Sequence, residues 1–272
     1  MICQTYRRKY IKQGGEVAQV KRKAMRVIYS GSVLEKEIYT VADKTKDIKK
    51  AKPRLRFTTE EEREAHKEGI SRRKHIRSFN ENFSPTSIYS TLTFDDENEV
   101  HTMKEARYIR SLYIRRLRYA CPDAVIYFYI GRGKSTHRIH FHMVSEGIPK
   151  EIIRKQWKYG TNVYMVNLRE HNYYHNIDHG QDYTGLANYL WEHWTPEVGG
   201  KRWYQTRNAR KPEKDKPKEV KRLYTEMKPP AVPKGYKYVD CKCTKYGYWC
   251  FKYVKEPPPD ERRRGKKKKD TS

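Results

Sequence analysis

The chain has 272 residues, of which 60 are Lys or Arg and 33 are Asp or Glu, so its formal charge is +27. Aromatic residues make up 13% of the sequence, and because disordered chains are poor in aromatics, a folded core is expected. No stretch approaches the roughly 18 consecutive apolar residues of a membrane span, and residues 1–8 lack the apolar segment of a signal peptide. These features predict neither a membrane span nor classical secretion, and the five scattered cysteines favour a reducing compartment.

The positive charge is concentrated towards the two ends of the sequence. Residues 1–81 carry a net charge of +11, residues 82–200 carry +1, and residues 201–272 carry +15. Basic flanks of this kind are typical of proteins that bind a polyanion, because neutralising phosphates releases counterions. The charge distribution therefore predicts nucleic-acid binding through the flanks.

The N-terminal region, residues 1–82, is predicted to contain a basic arm, a hairpin and a surface helix. Two runs of β-branched and aromatic residues surround a Ser-Gly-Ser turn within residues 25–41, which is typical of a hairpin. Residues 59–82 follow a helical start signal at Thr59. Their apolar positions are too few for a deep core, so this helix is expected on the surface.

The central region, residues 83–212, shows a regular alternation of predicted elements. The predicted strands lie at residues 87–94, 124–130, 138–144 and 161–168, and the predicted helices at residues 103–119, 149–157 and 182–194. The order β-α-β-β-α-β followed by a helix predicts an α+β, ferredoxin-like split βαβ fold. In that fold an antiparallel sheet carries its helices on one face.

The C-terminal region, residues 213–272, is predicted to be a basic extension. Aromatic residues alternate with lysines over residues 236–254, which favours one more hairpin. Residues 257–272 are a low-complexity basic tail that is expected to be disordered. Cys241, Cys243 and Cys250 lack a fourth ligand at zinc spacing and are interpreted as ordinary cysteines.

The strongest chemical signal is the sequence His140-Phe141-His142 on a predicted strand. Side chains at i and i+2 of a strand share one face, so both imidazoles point the same way. Two such imidazoles are half of a divalent-metal site, and a metal on the sheet of a basic protein suits phosphate chemistry. The alternative is a pair of half-buried histidines with ordinary hydrogen-bond partners.

Two tyrosines on the helix predicted at residues 182–194 are candidate nucleophiles. A tyrosine that attacks a phosphodiester forms a covalent intermediate, which allows the cut strand to be rejoined or transferred. Tyr183 and Tyr189 are six residues apart, about 240° around a helix, so both cannot face one site. Packing is the alternative role for each of them.

Four segments resemble motifs of one protein superfamily, and they occur in the same order. Residues 91–94 (TLTF), 140–142 (HFH) and 185–190 (GLANYL) resemble motif I, the metal motif and the tyrosine motif of HUH endonucleases. Residues 201–208 (KRWYQTRN) resemble the stretch that follows the tyrosine helix. The nearest group within the superfamily is the single-tyrosine rolling-circle replication initiators of plasmids and small phages.

The resemblance implies a site-specific DNA nickase and strand transferase that starts rolling-circle replication through a 5′-phosphotyrosine intermediate. His140 and His142 would bind Mg or Mn, and Tyr189 would attack the phosphate. The implied partners are single-stranded or hairpin origin DNA and a host helicase and polymerase, in the cytoplasm of a bacterial host. A transposase or a conjugative relaxase is the close competitor within the superfamily.

The predicted DNA contacts are basic residues and one aromatic residue near these motifs. A glycine-containing turn could bind phosphate through charge and backbone N–H groups, and an aromatic ring could stack on a base. The predicted contacts are Arg132, Lys134, Lys201, Arg202, Trp203 and Arg207.

Two departures from the family pattern keep a second function open. Residues 127–131 lack the acidic third metal ligand of many relatives, which leaves Gln181 or Asp182 as candidates. Relatives often place a Lys three residues after the tyrosine, where this chain has Glu192, with His193 as a candidate substitute. The alternative is therefore a non-catalytic, basic protein that binds origin DNA or RNA on the same fold.

Overall fold

The computed structural model describes residues 22–41, 59–133, 135–193, 203–244 and 247–256. Their elements, in chain order, are β1 (Arg22–Ser30), β2 (Val33–Val41), α1 (Glu60–Asn82), β3 (Ile88–Leu92), α2 (Met103–Ala120), β4 (Val125–Arg132), β5 (Ile139–Glu146), α3 (Lys150–Gln156), β6 (Val163–Asn167), β7 (Tyr173–Tyr174), β8 (Ile177–Asp178), α4 (Thr184–Glu192), β9 (Tyr204–Gln205), β10 (Glu213–Lys214), β11 (Lys218–Val220), β12 (Tyr236–Cys243) and β13 (Trp249–Lys255). The predicted α+β class with antiparallel sheets is confirmed. None of the helices described combines the length and apolar content needed to cross a membrane.

The central sheet has the strand order β6-β3-β5-β4-β9, and each neighbouring pair is antiparallel. The predicted histidine strand, β5, therefore lies in the middle of the sheet. Helices α2 and α3 cover one face, where Phe128, Phe141 and Met143 are fully buried against Tyr113 and Leu117. This cluster is the largest apolar core among the described residues.

The second face of the central sheet is covered by α1 and α4, so the prediction of helices on one face was wrong. Tyr127, Tyr129 and Val144 point to this face and pack against Phe79 of α1 and Leu190 of α4. Because β4 is buried along most of its length on both faces, each face needs its own helix pair.

Helix α1 also corrects the expectation of a surface helix. It begins as predicted, where the Thr59 hydroxyl accepts a hydrogen bond from the Glu62 backbone N–H at 3.2 Å. One side of its C-terminal half is buried, including His75, Arg77 and Phe79. An apolar pattern does not reveal this burial because the polar side chains find partners only in the folded chain.

The second sheet has the order β10-β1-β2-β13-β12, with β11 also paired to β1. Both predicted hairpins are confirmed, and they meet in this sheet through the antiparallel pair β2–β13. The predicted N- and C-terminal regions are therefore joined by backbone hydrogen bonds. The division into three regions stays a prediction, and the predicted arm and tail lie outside the described residues.

Buried ion pairs fasten the second sheet to the helices of the central one. The Arg77 guanidinium donates to Glu35 at 2.5 Å and to Glu37 at 2.6 Å. The Lys252 ammonium lies 3.1 Å from Asp182, just before α4. These contacts position α1 and α4, which lie over the histidine face.

Candidate active site

The two histidines of β5 lie side by side on the sheet face covered by α1 and α4. The Nε2 atoms of His140 and His142 are 3.1 Å apart, and His142 is 3% exposed. Two nitrogens bound at about 2.1 Å to neighbouring positions of an octahedral ion are about 3 Å apart. The pair therefore fits two ligands of one divalent metal.

Two hydroxyl groups of strand β3 orient the His142 ring through its Nδ1 atom. The Nδ1 atom of His142 lies 2.9 Å from the Tyr89 hydroxyl and 3.2 Å from the Thr91 hydroxyl, and Thr91 pairs with His142 across the strands. When Nδ1 carries the ring proton, it donates to these oxygens and leaves the Nε2 lone pair free for a metal. Tyr89 is a site residue that sequence reasoning missed, although its i, i+2 spacing from Thr91 placed it on the same face.

Helix α4 brings the predicted nucleophile to this pair. The Tyr189 ring centroid lies 5.9 Å from that of His142, and the side chain is 43% exposed. Tyr183 is 2% exposed and packs in the core beneath α4. Of the two candidate tyrosines, only Tyr189 combines proximity to the histidines with access from solvent.

His193 adds a third imidazole to the site. Its ring centroid lies 4.0 Å from that of Tyr189, 5.3 Å from that of His142 and 6.4 Å from that of His140. The i, i+4 spacing on α4 puts His193 on the same helix face as Tyr189. Sequence reasoning considered His193 only as a replacement for a lysine and did not place it beside the histidine pair.

The candidates for a third ligand before α4 are occupied elsewhere. The Gln181 side chain accepts from Ser32 at 3.3 Å, and Asp182 pairs with Lys252. In the part of the chain that the structure describes, no group of three or more His, Cys, Asp or Glu is arranged to hold a metal ion. The donor set is thus two imidazoles, which favours a transition metal such as Mn over Mg, because Mg prefers oxygen ligands. The choice of Mg or Mn stays a prediction.

Burial keeps the histidine pair neutral. Desolvation and the neighbouring His140 and His193 lower the pKa of His142 to about 3. The pKa of His140 is also lowered, first by burial and then by His193. Both rings are therefore in the metal-binding form at neutral pH. Burial and the adjacent Tyr189 raise the pKa of Tyr89 to about 12, so its hydroxyl keeps its proton.

A glycine of β4 lies opposite His140 and leaves room beside its ring. Gly131 pairs with His140 across β4 and β5. A Cβ at position 131 would lie 3.2 Å from both His140 Nε2 and the His193 carbonyl oxygen. Any side chain at this position would therefore crowd both His140 and the end of α4.

An arginine of α1 binds two side chains of the helix that carries Tyr189. Arg72 donates to the Glu192 carboxylate at 2.6 Å and to the Asn188 side-chain oxygen at 2.7 Å. Asn188 directly precedes Tyr189 in α4. A cation therefore reaches the tyrosine helix from another element, and no local motif could have predicted it.

An open cleft of about 460 Å³ adjoins His140 at one end of the central sheet. Its lining includes Thr93, Asp96, Arg138 and Asn162. Arg138 is neutralised there by Asp96 at 2.9 Å and by Glu99 at 3.1 Å. The cleft offers hydroxyl, amide and carboxylate groups beside the histidine pair.

The predicted basic DNA contacts are only partly within the described residues. Arg132 ends β4, and its guanidinium donates to two backbone carbonyls, at 3.3 and 3.5 Å. Arg207 is exposed. Lys134, Lys201 and Arg202 lie outside the described residues.

The predicted stacking residue Trp203 is part of the protein's own packing. Its ring lies 4.7 Å from that of His75 and 5.5 Å from that of Trp191. The neighbouring Tyr204 lies under the Arg110 guanidinium at 5.5 Å. A role for Trp203 in DNA binding stays a prediction.

No protein-family model, curated protein or solved structure matches this chain.

Proposed function

We propose that the chain is a metal-dependent, HUH-type DNA nickase and strand transferase that initiates rolling-circle replication. One observation carries the proposal: Tyr189 from α4 and the His140–His142 pair from β5 lie on one face of the sheet, with rings 5.9 Å apart. A hydroxyl nucleophile beside two neutral imidazoles is what metal-assisted attack on a phosphodiester requires.

The strand order supports a ferredoxin-like split βαβ fold for this catalytic unit. In the order β6-β3-β5-β4, strands β3 and β4 are joined through α2 and are split by β5, which is antiparallel to both. The second half, β5-α3-β6, returns the chain to the far side of β3. In this arrangement the histidine strand β5 lies between β3 and β4, the two strands of the first half.

The proposed reaction is a transesterification at phosphorus. The Tyr189 oxygen forms a bond to phosphorus, the bond to the 3′-oxygen breaks, and that oxygen leaves as a hydroxyl after gaining a proton. Tyr189 gives up one proton, so the step is balanced, and attack by a 3′-hydroxyl on the phosphotyrosine reverses it. The released 3′-hydroxyl would prime synthesis by a host polymerase, with strand separation by a host helicase.

The surrounding residues prepare this step. His140 and His142 would hold Mg or Mn through Nε2, and the bound ion supplies Lewis-acid polarisation of the phosphate. Tyr89 orients His142, and Arg72 holds α4 through Asn188 and Glu192. The cleft lined by His140 is the proposed path by which an unpaired strand would approach the site.

The test is the covalent adduct itself. Wild-type protein is incubated with labelled single-stranded DNA and MnCl₂, and the products are separated under denaturing conditions. We expect an adduct that Tyr189→Phe abolishes and that the matched Tyr183→Phe variant retains. An adduct in both variants, or in Tyr189→Phe alone, would overturn the assignment of the nucleophile.

A non-catalytic protein that binds origin DNA or RNA is the second candidate. It is favoured by the absence of a three-ligand metal cluster among the described residues and by Glu192 at the usual lysine position. Tight binding without any adduct, on hairpin and linear substrates alike, would support this candidate and refute the nickase.

A further inference from the structure

Positive and negative charges of the nearly neutral segment 82–200 lie on different elements of the folded chain. Helices α2 and α3 contain nine of the fourteen basic residues and two of the thirteen acidic residues of segment 82–200. The two helices therefore carry a net charge of +7, and the rest of the segment carries −6. We call α2 and α3 together the basic helix layer.

Four exposed charges of this layer have no partner among the described residues. Arg115 and Arg118 of α2 and Arg154 and Lys155 of α3 are exposed, and none of these side chains pairs with another described residue. Several arginines outside the layer are paired with carboxylates, as Arg77 is with Glu35 and Glu37. A solvated surface of a small domain usually mixes both signs, so the segregation indicates a binding function.

Two further arginines of α2 are held by aromatic rings. The guanidinium carbon of Arg110 lies 5.5 Å from the centre of the Tyr204 ring, and that of Arg116 lies 5.4 Å from the centre of the Tyr159 ring. The Nε atoms of both arginines are buried without a hydrogen-bond acceptor among the described residues. Stacking fixes these side chains but does not neutralise them, which adds to the positive potential of the layer.

The basic helix layer and the candidate active site lie on opposite faces of the central sheet. Phe141 points under α2 and α3, whereas its neighbours His140 and His142 point to the other face. DNA held at the histidine pair would have to pass around the sheet to reach the layer. The layer therefore fits a different segment of the polyanion.

The shape and composition of the layer favour duplex DNA over a membrane. Lys104 and Arg118 are fourteen residues apart on α2, about 21 Å along the axis, which matches about six phosphates on one strand of a duplex. The large hydrophobic side chains exposed on α2 are Tyr108 and Tyr119. Helices that lie in a lipid interface instead expose a wide apolar face.

We infer that the basic helix layer is a second DNA-binding surface, which holds the phosphate backbone of the duplex that flanks the cleavage site. The inference rests on the proposed nickase function for the identity of the polyanion. In this arrangement the sheet separates two tasks: single-stranded DNA is cut on one face, and duplex DNA is held on the other.

The test compares matched pairs of charge-neutralising substitutions in the full chain. Arg115→Gln/Arg118→Gln removes two exposed charges from the layer, and Lys67→Gln/Lys74→Gln removes two from α1, on the opposite side of the sheet. Binding to a labelled linear duplex is measured over a series of salt concentrations. We expect the arginine pair to weaken binding by at least about tenfold at 0.1 M salt and to make the slope of log K against log salt shallower by about 2.

Two outcomes would overturn the inference. One is a loss of duplex affinity in the arginine variant that does not exceed the loss in the lysine variant. The other is an arginine variant that loses binding to phosphatidylserine vesicles while its duplex affinity is unchanged, which would make a membrane the partner.

Adduct formation on single-stranded DNA separates this inference from the proposed function. The arginine variant should form the adduct at the wild-type rate. Absence of the adduct in wild-type protein refutes the nickase proposal alone, because duplex binding through the layer is measured independently of cleavage.

Discussion

The two faces of the central sheet are built from the same strands and have opposite chemical character. The face under α2 and α3 is an apolar core, to which β5 contributes Phe141 and Met143, each fully buried. The face under α1 and α4 carries His140 and His142, together with tyrosines whose hydroxyls bind other side chains. One strand therefore supplies both the core and the candidate site.

The comparison shows how a small domain can place polar chemistry next to a stable core. Strand alternation separates the two sets of side chains by the thickness of the backbone. A substitution at Phe141 should lower stability, and a substitution at a neighbouring histidine should lower the proposed cleavage activity. The predictions below test that separation.

The largest effect is expected at the histidine pair. Under the proposed function, His142→Ala should lower metal-dependent cleavage on the order of a thousandfold, because the proposed metal site would lose one of its two imidazoles. DNA binding should change little, since phosphate contacts by basic residues dominate affinity. Cleavage assays with Mn²⁺ and a binding titration measure the two properties, with the exposed His101→Ala as control. Wild-type cleavage by a His140→Ala/His142→Ala variant would place the metal site elsewhere.

The second prediction concerns the sheet face under α2 and α3, where the Phe141 side chain is truncated. Phe141→Ala should lower the free energy of unfolding by about 3–5 kcal/mol, because it leaves a cavity between the sheet and α2. Phe141→Leu should cost less than about 1.5 kcal/mol and retain cleavage. Urea unfolding gives both values. A Phe141→Leu variant that is fully stable but inactive would show that the two faces are coupled.

The pH dependence of stability probes the histidine buried under α4. Desolvation lowers the pKa of His75 from 6.5 to about 4, so the unfolded chain binds a proton between these values when the folded chain does not. His75 therefore costs no stability above pH 6.5. As the pH falls from 6.5 to 4, its titration lowers the free energy of unfolding by about 3 kcal/mol.

His75→Phe isolates this contribution from those of the other histidines. The variant keeps a ring against Phe79 and Trp203. Over the same pH range, its free energy of unfolding should fall by about 3 kcal/mol less than that of wild type. The comparison uses urea unfolding at a series of pH values. Equal losses in the two proteins would show that His75 titrates normally.

The smallest effect is expected at the glycine opposite His140. Gly131→Ala places a methyl group 3.2 Å from His140 Nε2, so the ring must shift by a few tenths of an ångström. We expect roughly a tenfold loss of cleavage with a change in stability below about 1 kcal/mol. The control is Gly69→Ala on α1, where the nearest atom would be 3.7 Å away. Equal activity of both variants would mean that the site tolerates the shift.

Much of the fold could be predicted because its signals are local. The runs of β-branched and aromatic residues in β4 and β5 and the helical periodicity of α2 lie within single elements, and the structure confirms these elements. The buried half of α1 could not be predicted, since Arg77 becomes a core residue only when Glu35 and Glu37 meet it from the second sheet. The packing of α1 and α4 on the second face of the sheet was missed for the same reason.

The sequence by itself determined the α+β class, both hairpins and the shared face of His140 and His142, because each depends on the spacing of residues within one element. Tertiary structure decided what surrounds that pair. Tyr89 reaches His142 across 53 residues of sequence, and Arg72 reaches Asn188 across 116. The segregation of charge onto α2 and α3 also requires the folded chain, because a count along the sequence averages residues that folding places on opposite sides of a sheet.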